Sequence, residues 1–217
     1  MDQKDINKTQ QFENYFFKFL DYHRSNNEKI AMKGAKSCNQ VAGRQVWVNL
    51  RGMVKKAYHI LEADSVFSKL NHEQKIDLSY AIVHYGLGTS DTSRLYNHMG
   101  KYTNNLNQKY VFSNKLRQME HCAELSVYFY GFSNILDNYF QEYFTYLNYV
   151  DECDFINDKE KLKYVNILNA QNDIYCNAVI YFYLHSSFAN ESQKTLVEKY
   201  GILEKMDKRL IAFDKEN

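Results

Sequence analysis

Apolar residues recur along this chain at intervals of three and four, with no sustained apolar–polar alternation, and that pattern predicts an all-α fold. Phe12, Phe16, Phe19, Leu20 and His23 share one face of a first helix that ends before Gly34. A second helix runs from Gly43 to about Ala63, with Val46, Trp47, Leu50, Val54, Ala57 and Leu61 as its stripe. Asn71 is placed to cap a third, over residues 73–85, which Gly86-Leu87-Gly88 stops. Ser90 or Asp91 caps a short fourth helix, and residues 115–130 form a fifth. The sixth covers residues 132–150, with Ile135, Leu136, Tyr139, Phe140, Tyr143, Phe144 and Leu147 as a broad apolar face. Asp158 caps a seventh that reaches Ser187. A last amphipathic helix follows Ser192, using Leu196, Ile202, Leu203, Met206 and Leu210. The expectation is one domain over residues 1–217, a bundle of about seven or eight helices. Its spine is an antiparallel pair of long aromatic helices, 132–150 and 158–187, and residues 1–10 form a flexible arm.

Composition agrees with long helices. At 217 residues the chain is large enough for one good core, and it contains no proline, the residue that interrupts helix interiors. Nineteen Tyr and fourteen Phe offer large buried surfaces, and each buried hydroxyl then needs a polar partner. The longest apolar run, Ala178 to Leu184, is far short of a membrane span. The polar N-terminus lacks a signal core, so the chain reads as soluble and cytoplasmic. Cys38, Cys122, Cys153 and Cys176 are scattered without a C-x-x-C pair, which suggests free, mostly buried thiols.

Charge is segregated although the net is only +1. Residues 29–61 hold no acid but carry Lys29, Arg44, Arg51, Lys55 and Lys56, whereas residues 118–158 hold acids and no Lys or Arg. Either Arg44, Arg51, Lys55 and Lys56 form a basic patch suited to self-association or to nucleic acid, or the two signs interleave on folding and cancel.

Metal and nucleotide signatures fail. His72-Glu73-Gln74-Lys75-Ile76 has Ile76 where a second ligand would stand, and Gly86-Leu87-Gly88 follows a helix rather than a strand. Asp151-Glu152-Cys153-Asp154 is simpler as an acidic turn before a helix. No metal and no cofactor are expected. Two Arg-His pairs, Arg94/His98 and Arg117/His121, share helix faces. Such a pair can support RNA cleavage, the His moving a proton and the Arg stabilising phosphate charge. Helical ribonucleases of the HEPN type resemble this arrangement, although their Arg and His stand further apart. Arg117 and His121 are therefore the catalytic candidates, and solvated surface pairs are the plainer reading. The seventh helix carries a stripe of Asn166, Asn169, Asp173 and Asn177, poor helix formers that need a reason there. It is either a solvated face or one wall of a polar cleft facing Asn138 and Gln141.

The sequence from Gly131 through Leu136 to Asp151 resembles the G-h-x-x-x-L-G-H-Y-F-R-x-L-Y-x-x-x-K-Y-I-D helix of the phage abortive infection family, the AbiC-like proteins. Leu168-Asn-Ala-Gln171 is similar to that family's L-R-A-Q, and residues 12–23 to its F-E-x-x-F-F-x-L-L-x-x-H. Gly43-Arg44-Gln-Val-Trp47 and the helix ending at Tyr85-Gly86 also resemble family motifs in the same order. His23, Arg44, Tyr139 and Gln171 carry over. Asn138 stands where the pattern has His, Gln141 and Asn169 where it has Arg, and Cys176 where it has Glu. The amides cannot replace those groups in proton transfer or in balancing phosphate charge. The resemblance implies an antiphage defence protein, sensing a phage protein and assembling with itself or with a companion defence protein. The alternative is a HEPN-like ribonuclease or nucleic-acid-binding effector. Family members often begin with two membrane helices; the resemblance here starts at the soluble part, as expected of either a truncated form or a soluble variant that works with a partner.

Overall fold

A computed structural model describes residues 3–33, 40–87, 92–121 and 131–213. Among them are nine α-helices and one two-stranded hairpin: α1 Gln3–Lys29, β1 Ala31–Lys33, β2 Gln40–Ala42, α2 Arg44–Glu62, α3 His72–Tyr85, α4 Thr92–Met99, α5 Leu106–His121, α6 Ser133–Asp151, α7 Asp158–Asn169, α8 Ile174–Leu184 and α9 Glu191–Lys199. The all-α reading holds. The hairpin, with Met32 opposite Val41, is too short for alternation to announce it. No described helix is long and apolar enough to cross a membrane.

Three helices make the centre. α2 packs most extensively, against α3 and α8, and α3 also touches α8. α2 buries a wide apolar stripe and keeps a polar outer face, whereas α3 and α8 are buried around most of their circumference. Every residue of α3 from Ile76 to His84 is buried, and so are Cys176, Ala178, Val179, Ile180, Phe182, Tyr183 and Leu184 of α8. α6 lies beside this core, carrying α1 and α7 on its own flanks. Aromatic rings fill the seams. Phe140 stacks on Tyr183 with centroids 3.8 Å apart, and Phe12 stacks on Tyr149 at 5.1 Å.

α6 and α7 form the expected antiparallel pair: Lys161 donates to the Asp151 carbonyl at one end, and Tyr143 faces Asn169 at the other. The long seventh helix, however, is two. α7 ends at Asn169, and Asp173 caps α8, accepting from the backbone N–H groups of Tyr175 and Cys176 at 2.7 and 2.9 Å. The Asn-Asp pair that looked anomalous inside one helix is the junction of two. The predicted stripe therefore does not exist as one face. Asn157, not Asp158, caps α7 through a capping box with Glu160.

Other boundaries shift as well. α1 begins at Gln3, so its first turns occupy the segment expected as an arm. α5 starts nine residues before the predicted Lys115, since Leu106 follows Asn105, whose side chain accepts from the N–H groups of Asn107 and Gln108. α9 stops at Lys199 because Gly201, at φ 59°, turns the chain. Caps at Ser90 or Asp91, and Cys38 and Cys122, lie outside the described residues. Cys153 and Cys176 are buried free thiols.

Candidate functional site

The last turns of α1 place His23, Asn26 and Asn27 on one face, three and four residues apart, against α6. His23 is 1% exposed. Its Nδ1 lies 3.2 Å from Glu142 Oε1, and its Nε2 lies 3.1 Å from Asn172 Oδ1 and 3.2 Å from Asn27 Nδ2. A carboxylate only accepts, so Nδ1 carries the proton that it donates to Glu142. Nε2 sits between an acceptor and a donor. A second proton there favours Asn172, and a lone pair favours Asn27. Tyr139 donates to Asn172 Oδ1 at 2.8 Å, Cys176 Sγ donates to the Tyr139 hydroxyl at 3.0 Å, and Asn26 donates to Glu142 Oε2 at 2.6 Å. The network ties α1, α6 and the α7–α8 junction together.

Its electrostatics are those of a framework. Burial works to raise the Glu142 carboxyl, but hydrogen bonds from His23 and Asn26 outweigh it and hold the group below its ordinary value. Burial pushes the Cys176 thiol up strongly, against the hydrogen bond it shares with Tyr139. Burial and the neighbouring Cys176 do the same to the hydroxyls of Tyr139 and Tyr143. A thiol and phenols held neutral are poor nucleophiles.

Above this floor opens a cleft of about 750 Å³ between the end of α1 and α6. Asn134, Asn138, Gln141 and Thr145 line it from α6, and Asn26, Asn27 and Lys29 from α1, with Ile30, Ile135 and Tyr146 between them. Asn134, Asn138 and Gln141 are exposed, and their side-chain amides make no hydrogen bond to a described residue. Asn138 and Gln141 thus face α1 across the cleft, not α7 as the sequence suggested.

The remaining motif residues are separate. Arg44 Nε donates to Asp173 Oδ2 at 2.8 Å, and its guanidinium lies 5.3 Å from the Tyr175 ring. Asn169 accepts from Tyr143 and donates to the Ile202 carbonyl at 3.3 Å, and Gln171 reaches back to the Ile167 carbonyl. Those two fasten the end of α7. The structure therefore gathers His23, Asn138, Tyr139 and Gln141, and leaves Arg44, Asn169 and Gln171 with structural ties. Replacing Asp173 with Ala should remove the α8 cap and the Arg44 partner together, costing about 1–2 kcal/mol. Urea unfolding checks this, and an unchanged midpoint would deny the cap its role.

One comparison with known proteins bears on this region. Residues 131–211 match the family described as putative phage abortive infection protein. No curated protein and no solved structure matches the chain significantly. The match spans α6 to α9, and so holds Asn138, Tyr139, Gln141, Glu142, Asn172 and Cys176, and it supports a role in antiphage defence.

The four basic residues of the expected patch are held in different ways. Arg44 is paired with Asp173, Arg51 Nε donates to the Leu210 carbonyl at 2.8 Å, Lys55 is buried, and Lys56 is exposed. Elsewhere Lys199 pairs with Asp151 and Lys115 with Asp64. Arg117 and His121 fall on the end of α5, with their side chains outside the described residues. Of the other Arg-His pair, His98 is buried and committed to Asp77. Among the described residues no group of three or more His, Cys, Asp or Glu is placed to hold a metal ion.

That Asp77–His98 contact, 2.6 Å between Oδ2 and Nε2, is the centre of a second polar cluster. Tyr102 also donates to Asp77 Oδ2, and the Ser187 N–H to Oδ1 at 2.6 Å. Burial alone would raise the Asp77 carboxyl, but the bonds from His98, Ser187 and Tyr102 hold it well below the usual range. Phe188 stacks on His98 with centroids 5.5 Å apart and lies 4.5 Å from the His84 ring, whose Nε2 meets Asp137 at 2.8 Å. The cluster binds α3 to α4 and to the turn after α8. The available signal is a carboxylate within the mostly apolar, buried stretch of α3 from Ile76 to His84.

Proposed function

We propose that this protein is a soluble recognition module of antiphage defence, acting in the cytoplasm, which binds a partner or a second copy of itself through the cleft between α1 and α6. The observation that carries this reading is the row of unbonded amides of Asn134, Asn138 and Gln141 above a floor held rigid by His23, Glu142, Tyr139 and Asn172. Amides that need no partner for folding, fixed over a buried network, suit recognition better than proton transfer. The neutral thiol and phenols beneath them favour binding over covalent chemistry. Where the related pattern has His and Arg, this chain presents Asn138 and Gln141, groups that donate and accept without carrying charge.

The test is phage plating on cells expressing the chain or its Asn138→Ala/Gln141→Ala variant. The variant is expected to fold with parental stability, since exposed substitutions change it by about 0.5 kcal/mol or less, and to lose protection. Full protection by the variant would refute the reading. A ribonuclease would instead be betrayed by cleavage of total tRNA that is lost in His121→Ala.

A further inference from the structure

The cleft's chemistry is selective about what could occupy it. Lys29 and Glu142 are its charged residues, and Glu142 is already engaged by His23 and Asn26. One lysine is a weak foothold for a polyanion, whose binding scales with the number of phosphates neutralised. Everything else that is polar is an amide or a hydroxyl. An amide side chain offers N–H donors and a C=O side by side in a plane, the pairing that a peptide's backbone groups present in reverse.

Spacing narrows the class further. Asn134, Asn138 and Gln141 follow each other along α6 by about 6 Å and about 4.5 Å of helical rise, a row roughly 10 Å long. A nucleobase edge satisfies one bidentate amide and leaves the others without use. An extended peptide repeats its backbone groups on a given side every 6.8 Å or so, within about 1 Å of the Asn134–Asn138 step, while the step to Gln141 is about 2 Å shorter. The side-chain carbonyl oxygens of Asn26 and Asn27, whose amide nitrogens lie against Glu142 and His23, add acceptors on the opposite wall. Ile30, Ile135 and Tyr146 supply apolar spots for the peptide's side chains.

We infer that the cleft between α1 and α6 binds an extended, uncharged stretch of polypeptide from a partner protein, gripping its backbone through Asn134, Asn138 and Gln141. This rests on the proposed recognition role and deepens it. Recognition through backbone groups tolerates sequence variation in the bound stretch, while the apolar spots set a preference for side chains alternating along it.

The experiment uses the full chain and short overlapping peptides tiled across the virion proteins of a phage that it restricts, read by fluorescence anisotropy. A subset of peptides should bind. Asn138→Ala should weaken them about tenfold, and backbone N-methylation at the central positions should abolish binding while scrambling charged flanks does not. Four results would overturn the inference: no peptide binds, N-methylated peptides bind equally well, adenosine or guanosine displaces the peptides, or the same substitutions instead dissociate a dimer of this chain. If the double amide variant loses phage protection yet no peptide binds, the recognition reading stands and the peptide assignment alone falls.

Discussion

Asp77→Ala is expected to destabilise the protein by about 3–5 kcal/mol, because it strands His98, Tyr102 and the Ser187 N–H, all of which converge on that carboxylate. At this chain length the loss lowers the melting temperature by roughly 6–20 °C. Acid adds a second signature. The folded carboxyl lies well below the ordinary aspartate value of 3.8, so its contribution is complete above that value and fades as pH falls through it toward the folded value. Over that window the parent loses at most about 1.4 kcal/mol per pH unit on account of this group. Asp77→Asn should flatten that limb of the curve and sit lower at neutral pH. If thermal scans of parent and Asp77→Asn run parallel from neutrality into acid, the carboxylate is not the clasp described here.

Gly131→Ala should be comparably damaging, for a steric reason. Gly131 has φ 47°, where a side chain costs about 1–2 kcal/mol. An added Cβ would lie 2.4 Å from the carbonyl carbon and oxygen of Tyr85, at the end of α3. The Phe132 N–H bonds the Val83 and His84 carbonyls at the same place. α6 would have to withdraw from α3, so the total should reach roughly 2–5 kcal/mol. Gly52, exposed in α2 with nothing within 4 Å of its own added Cβ, should respond oppositely. Gly52→Ala is expected to gain about 0.5–1 kcal/mol. Equal denaturation midpoints for the two variants would contradict this contrast.

The same two places show what the amino-acid string made legible. The helical pattern predicts α2, α3 and α6 nearly to the residue, because α2 and α6 carry wide apolar stripes, α3 carries a mostly apolar run, and glycines or polar residues mark their ends. It ran through the α7–α8 junction because apolar spacing continues across Asp173, and only the N-cap geometry separates a poor helix former inside a helix from one that starts a helix. The pattern of polar positions points to Asn138 and Gln141 beside a cleft, but it does not identify α1 as the other wall. That depends on how a helix more than a hundred residues earlier docks, here through His23 and Asn26 on Glu142. The role of Asp77 is hidden for a related reason: its partners come from α4 and from the turn after α8, and nothing local marks them.

Trp47, the chain's one tryptophan, is 2% exposed and meets the Tyr139 ring edge-on with centroids 4.5 Å apart. Nature has thus put a single intrinsic fluorophore one ring away from the hydroxyl that anchors Asn172. Its emission should be blue-shifted and strongly fed by energy transfer from the surrounding tyrosines. Any occupant that tightens or loosens the cleft floor will therefore register as a change in colour or intensity, without a label.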